Sequence, residues 1–110
     1  MKGTNLGEFE ELVLLTIAAL MSDAYSVGIC DELSRNAGRK VRLGVVHSVL
    51  HRLESKGLIK SHLGESTKVR GGKRKRFYSI TSGGFESMLK AREIRNQLWS
   101  RIPEIALGRI

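Results

Sequence analysis

HSVLHRLESKGLIKSHL, residues 47–63, changes character in its middle. Up to Leu53 the apolar residues keep a helical period: Val46, Val49, Leu50 and Leu53 make one stripe with polar residues between. From Leu58 the run LIKSHL is β-rich. The switch is ESKGLI. Gly57 suits the left-handed position just past a helix end, which puts Leu58 where it can fold back on Leu53. The stretch predicts a helix that stops sharply and hands the chain to a strand.

Downstream, KRFYSI (residues 75–80) is a second β-rich run, and the two runs read as a hairpin with a long tip. The tip is strongly basic. Lys68, Arg70, Lys73, Arg74, Lys75 and Arg76 fall between positions 68 and 76 with no acid among them. They carry six of the net eight positive charges, leaving +2 for the rest of the chain. Gly71 and Gly72 relax the backbone where the loop reverses. Beyond the tip, Tyr78 and Ile80 share one face of the strand and Phe77 and Ser79 the other. One aromatic can then pack on the core while the preceding charges stay wet. From Ser82 a last helix carries Phe85, Met88, Ala91, Ile94, Leu98, Ile102 and Ile105 as one expected face, with a break expected at Pro103.

Upstream, Leu6, Phe9, Leu12, Val13, Ile17 and Leu20 predict helix one over about residues 6–21, with Glu8, Glu10 and Glu11 at its start. SDAY is a turn. Ser26 is the expected N-cap of helix two, residues 26–37, in which Val27, Ile29, Cys30 and Leu33 give one apolar face and which stops at Gly38. KVRL is read as a minimal strand or a bare connector.

The expected class is mainly α with a small β-hairpin (α+β): a winged helix-turn-helix over residues 1–81, then a C-terminal dimerisation helix over 82–110. In such a fold helix three enters the DNA major groove and the hairpin, or wing, reaches phosphates or the minor groove. At 110 residues the chain has room for one modest core. Its net charge points to an anionic partner. The single cysteine, Cys30, forms no internal disulfide, and the longest apolar run is too short to span a bilayer. No export signal is evident in MKGTNLGEFEE, so a cytoplasmic protein is expected.

YSVGICDEL (25–33), HSVLHRLESKGLI (47–59) and GGKRKRFYSITSGG (71–84) resemble, in order and spacing, the signature segments of PadR-type transcriptional regulators. The most specific piece is RLESKGLI followed by G-x-R-K-R-F-Y-S-I-T-x-x-G. The chain's length matches the short branch with one C-terminal helix. The resemblance implies a homodimeric repressor, paired through its last helix and relieved by a small aromatic or hydrophobic ligand. It also implies a ligand-lining role for a Trp in the final helix. Trp99 is the candidate for that place, with Phe9 or Leu12 of helix one as helpers; the alternative is a Trp that simply packs the dimer seam. Where the family reads Gly-Thr-Leu-Tyr at the start of helix three, this chain has Gly44, Val45, Val46 and His47. An operator sequence therefore does not carry over from relatives.

On helix three the outward positions are Gly44, His47, Ser48, His51 and Ser55, with Arg42 at the N-terminal edge as the candidate guanine contact. Arg52 is expected to pair with Glu54 or the base of the wing. The wing cations Lys68, Arg70, Lys73, Arg74, Lys75 and Arg76 complete the candidate double-stranded DNA site. Their bland alternative is solubility and protection of the hairpin edge. His47 and His51 also have a metal-ligand spacing, with His62 as a third candidate, but no fourth ligand stands nearby, and no metal or cofactor is expected. Cys30 reads as a small core residue. The face from Phe85 and Met88 through Ile94, Leu98, Ile102 and Ile105 is too long for so small a body to cover, and a second copy is its expected partner. The competing function is a non-enzymatic adaptor or RNA-binding winged helix without operator choice. Membrane binding fits less well, because the charge sits on a hairpin rather than an amphipathic helix. No enzyme is expected, since no nucleophile–base pair or phosphate loop is evident.

Overall fold

The computed structural model describes residues 6–36, 38, 40–64 and 74–108. Four α-helices and one antiparallel hairpin follow the expected order. Helix α1 (Glu8–Leu20) is shorter than its apolar pattern suggests. Its start is fixed by Glu10, whose side chain accepts the Gly7 amide at 2.9 Å, and its end by Met21, which has a positive φ of 54°. A single 3-10 turn, Met21–Asp23, leads to α2 (Ser26–Asn36). The first bond of α2 runs from the Ile29 amide to the Tyr25 carbonyl, so Ser26 begins the helix rather than capping it. Residues 40–42 are a connector, tied to α2 by Cys30 Sγ donating to the Val41 carbonyl at 3.3 Å and by the Val41 amide donating to Ser34 Oγ at 3.2 Å.

Helix α3 (Leu43–Ser55) is followed by β1 (Ile59–Leu63), which pairs with β2 (Arg76–Ile80) in a register running from Ile59↔Ile80 to Leu63↔Arg76. The other edge of β2 is covered too. Tyr25 bridges Phe77, and the Tyr78 amide donates to the Ala24 carbonyl at 2.8 Å. That covers backbone groups which would otherwise offer a pairing edge. Helix α4 (Ser82–Ser100) ends before Pro103, and a 3-10 turn, Glu104–Leu107, follows. Pro103 accounts for the stop, as expected, and leaves Ile102 and Ile105 outside α4. The single face predicted through Ile105 is therefore not one helical face.

One core holds the first three helices and the hairpin together. Val13, Leu14 and Ile17 of α1 meet Ile29 and Leu33 of α2, the whole Val46–Val49–Leu50–Leu53 stripe of α3, and Leu58, Ile59 and Tyr78. Each fully buried aliphatic side chain is worth about 1.5–3 kcal/mol relative to exposure, so the α3 stripe alone fixes which face of that helix can look outward. Cys30 belongs to this core. Tyr78 is the inward aromatic of β2 and Phe77 lies on the other face, as alternation predicts.

The corner after α3 binds three elements. Gly57 has φ +77°. Its amide donates to the Glu54 carbonyl at 2.9 Å and the Leu58 amide to Leu53 at 3.0 Å, the two bonds of a Schellman stop. The Thr81 amide returns to the Leu58 carbonyl, and its hydroxyl donates to the Gly57 carbonyl at 2.7 Å while accepting the Gly84 amide of α4 at 3.0 Å. Gly84 lies so close to the Leu58 carbonyl and Ile80 that a Cβ there would collide with both. Thermal or urea unfolding of two variants checks this corner. Gly57→Ala should cost roughly 1–2 kcal/mol through its left-handed backbone. Gly84→Ala should cost roughly 1–3 kcal/mol or more, because a backbone carbonyl cannot yield as a side chain can. A Gly84→Ala protein as stable as the parent would show that α4 docks elsewhere.

Candidate nucleic-acid interface

Because the α3 stripe faces the core, the opposite face is set without further choice. Gly44, His47, Ser48 and His51 are all exposed on it, as the sequence pattern predicted. Arg42, also exposed, occupies the N-cap, and its carbonyl accepts the Val45 and Val46 amides at 3.1 and 3.2 Å. This anchors the backbone from which its side chain projects. Leu43 and Val45 are exposed at 40% and 46%, so apolar surface lies beside Arg42 and Gly44. Sequence reasoning passed over both residues, although Val45 visibly falls off the buried stripe. Apolar side chains at a helix entering the major groove can contact thymine methyl groups.

The wing stands beside this face. Lys68, Arg70 and Lys73, with Gly71 and Gly72, lie outside the described residues. Arg74, Lys75 and Arg76 are exposed, and each has a local brace. Arg74 Nε donates to the Gly64 carbonyl at 2.8 Å, Arg76 donates to Ser61 Oγ at 3.0 Å, and the Lys75 ammonium sits 4.2 Å over the Tyr25 ring. Beneath them Phe77 stacks with His62 and meets Tyr25 edge-on, with ring centroids 6.0 and 5.7 Å apart. Aromatic packing thus orients the base of the hairpin, and short bonds limit where the cations can swing.

Among the described residues Arg52 pairs with neither Glu54 nor the base of the wing. Glu54 instead accepts the Ser61 hydroxyl at 2.8 Å, while Arg52 Nε donates to Glu10 of α1 at 3.2 Å. Lys56 joins it, with Nζ 3.0 and 3.1 Å from the two Glu10 oxygens. The pairing escaped sequence reading because 42 and 46 positions separate the partners, and only the packing of α1 on α3 brings them together. Next to it, Glu11 accepts Arg95 of α4 at 2.7 Å. Burial pushes the Glu10 carboxyl up, but the Gly7 amide, Lys56 and Arg52 together outweigh that and hold it below the ordinary carboxylate range.

The remaining candidates lie on α1 and α4. Phe9 borders a cleft with Val41, Arg42 and Val45, and Leu12 borders a groove with Leu15, Thr16 and Leu33; neither hollow includes Trp99. Trp99 is 61% exposed on the far half of α4, near Ile94 and Leu98, which are also more than half exposed. Met88 packs against the core, whereas Phe85 borders a separate groove of about 490 Å³ with Ile17, Met21, Phe77 and Ile80. Among the described residues no three of His, Cys, Asp and Glu form a metal-ion ligand set, and no helix is long and apolar enough to cross a membrane.

The chain is similar to known proteins over most of its length. The model of the transcriptional regulator PadR-like family matches residues 14–90. Among solved structures, a PadR-like transcription factor from Bacteroides fragilis is 24% identical, with 89% of each chain covered and a TM-score of 0.70. A PadR family transcription regulator from Clostridium difficile R20291 is 26% identical, covering 93% of this chain and 97% of its own, with a TM-score of 0.64. A PadR-like regulator from Bacillus cereus is 20% identical, with 84% of each chain covered and a TM-score of 0.68. No curated protein sequence matches the chain.

The lowered Glu10 pKa gives a pH prediction. A carboxylate held below its unfolded value stabilises the fold fully above that value, and the contribution is lost as pH falls through the folded one. The melting temperature of the parent should therefore fall more steeply than that of Glu10→Gln between about pH 5 and pH 3. Parallel pH profiles for the two proteins would remove Glu10 from the acid-labile groups.

Proposed function

The chain belongs to the PadR-like family of transcriptional regulators, and from that premise we propose that it works as a homodimeric repressor released by a small aromatic or hydrophobic ligand. Its DNA-binding function follows from the family and the winged helix-turn-helix fold. In the proposed complex α3 lies in the major groove, with Arg42 at a guanine edge and His47, Ser48 and His51 facing bases or phosphates. Val45 would meet a thymine methyl. Arg74, Lys75 and Arg76, with Lys68, Arg70 and Lys73, would follow the phosphate backbone and add affinity without sequence choice.

The observation that carries the reading is the exposed face of α3 standing beside a basic hairpin, with its apolar stripe wholly committed to the core. Dimerisation is supported by α4. Ile94, Leu98 and Trp99 are 57%, 56% and 61% exposed, and Ile102 and Ile105 extend that apolar surface past the helix end. A small soluble chain does not ordinarily leave so many neighbouring large apolar residues wet, and a second copy of the same arm is the self-complementary way to cover them. Met88 packs on the core and Phe85 borders the groove beside α1 and the hairpin, so the proposed interface begins beyond them, at Ile94. The effector reading rests on Trp99, a flat apolar surface placed where two arms would meet. Phe9 or Leu12 could join it only from a body brought alongside in the dimer.

Titration of fluorescent duplexes tests the reading. With a duplex selected by the protein from a random pool, with random duplex and with RNA, the parent should prefer the selected duplex at physiological salt. Replacing Lys73, Arg74 and Arg76 by Ala should weaken selected and random duplex alike. If all three cations touch phosphate, the slope of log affinity against log salt should fall by about 2.7 per wing. Phenolic or cationic aromatic compounds that quench Trp99 should release the selected duplex. Equal affinity for all three nucleic acids would favour the adaptor reading. A triple variant changed only in sequence preference would give the wing a different job.

A further inference from the structure

The structure places Glu10 of α1 against two cations at the end of the proposed recognition helix, and the DNA reading leaves that arrangement without a role. Glu10 is 6% exposed, and both of its oxygens are engaged. Oε1 accepts the Gly7 amide at 2.9 Å and Lys56 Nζ at 3.1 Å; Oε2 accepts Arg52 Nε at 3.2 Å and Lys56 Nζ at 3.0 Å. Arg52 lies in the last turn of α3 and Lys56 is its C-cap. We propose that Glu10 is a positioning residue for DNA recognition: it pins the C-terminal turn of α3 to α1 and withholds Arg52 and Lys56 from the phosphate backbone, so that sequence preference is not swamped by charge.

The argument rests on the reading of α3 as the recognition helix and then goes beyond it. The exposed face of α3 carries short side chains, Gly44, His47, Ser48 and His51, and short side chains discriminate between bases only when the helix is held at a fixed depth and angle. Two free cations on the same helix would attract any phosphate at hand and reward many docking angles, since phosphate contacts carry no sequence information directly. The Arg52 side chain is 55% exposed and the Lys56 side chain 28%, so solvent access would not keep either from DNA. The carboxylate does. An exposed ion pair would hold them loosely, for about 0–1 kcal/mol. A carboxylate at 8% side-chain exposure that accepts four bonds is a firmer clamp. The neighbouring Glu11, through Arg95, ties the same turn of α1 to α4. One acidic turn thereby sets the reading helix and the proposed dimer arm against each other.

Salt dependence separates this role from simple stability. Random-duplex affinity is measured across a salt series for the parent, Arg52→Gln/Lys56→Gln, Glu10→Gln and the triple variant combining them, with folding checked by circular dichroism. In the parent background Arg52→Gln/Lys56→Gln should leave the slope unchanged, because the cations are withheld. Glu10→Gln should steepen the slope by up to about 1.8 per protomer, two phosphates at about 0.9 each, and reduce the preference for the selected duplex. The triple variant should return to the parent slope. A structural defect alone would not add phosphate contacts. If Arg52→Gln/Lys56→Gln lowers the slope in the parent background by about 1 or more, the cations already touch DNA and the inference fails, even should Glu10→Gln prove unfolded. A Glu10→Gln protein that folds and keeps the parent slope also overturns it. A parent that binds no duplex at all overturns the DNA reading, and this inference with it.

Discussion

The turn that Gly57 makes in the left-handed region, with Leu58 folded back after it, is the constraint on which the rest of the molecule depends. It ends α3 by satisfying the helix's last carbonyls, with Leu58 bonded back to Leu53. It starts β1 on the next residue, and through Thr81 and Gly84 it receives the first turn of α4. Helix α3, the hairpin and α4 therefore leave from one point, and none can change angle without disturbing the same few hydrogen bonds. Gly57 supplies the backbone conformation and Gly84 the space. Both needs are local and steric.

Onto this frame two kinds of charge are laid. Of the wing cations, Arg74, Lys75 and Arg76 are exposed, and among the described residues they are braced by a carbonyl, an aromatic face and a hydroxyl rather than by a carboxylate. Arg52 and Lys56 meet a carboxylate instead. Elementary electrostatics gives these groups different jobs in the proposed complex. Uncompensated cations release counterions from DNA and supply affinity that falls with salt. Arg52 and Lys56 share one carboxylate, which halves their net attraction and fixes their geometry. The net charge of +8 is thus not spread as a general attraction. Six of those charges fall at positions 68–76, and the two cations at the end of α3 share one acid.

Much of this was legible in the residues, for physical reasons that differ from element to element. The α3 stripe and the Gly57 stop were readable because helical period and left-handed backbone are local properties of a few neighbouring residues. The inward Tyr78 followed from simple alternation. The ends of α1 were misjudged, since Leu6 fits the apolar period but the Gly7–Glu10 bond starts the helix later. Phe85 matched the spacing of the α4 face yet turns toward the groove beside α1 and the hairpin. The partner of Arg52 was missed because sequence suggests charge pairs between neighbours, whereas Glu10 is brought up by tertiary packing. Val45 and Leu43 were overlooked because apolar residues at a helix start look like core until the stripe beside them is seen to be full.

The central claim is that two copies of this corner, joined through α4, present two recognition helices to one face of the double helix. Hydroxyl-radical footprinting on a duplex selected by the protein tests it most directly. The account predicts two protected half-sites whose centres lie about one helical turn, roughly 34–36 Å, or a whole multiple apart. Inserting five base pairs between them, about half a turn, should abolish cooperative protection. A single protected half-site, or protection indifferent to that insertion, would contradict it.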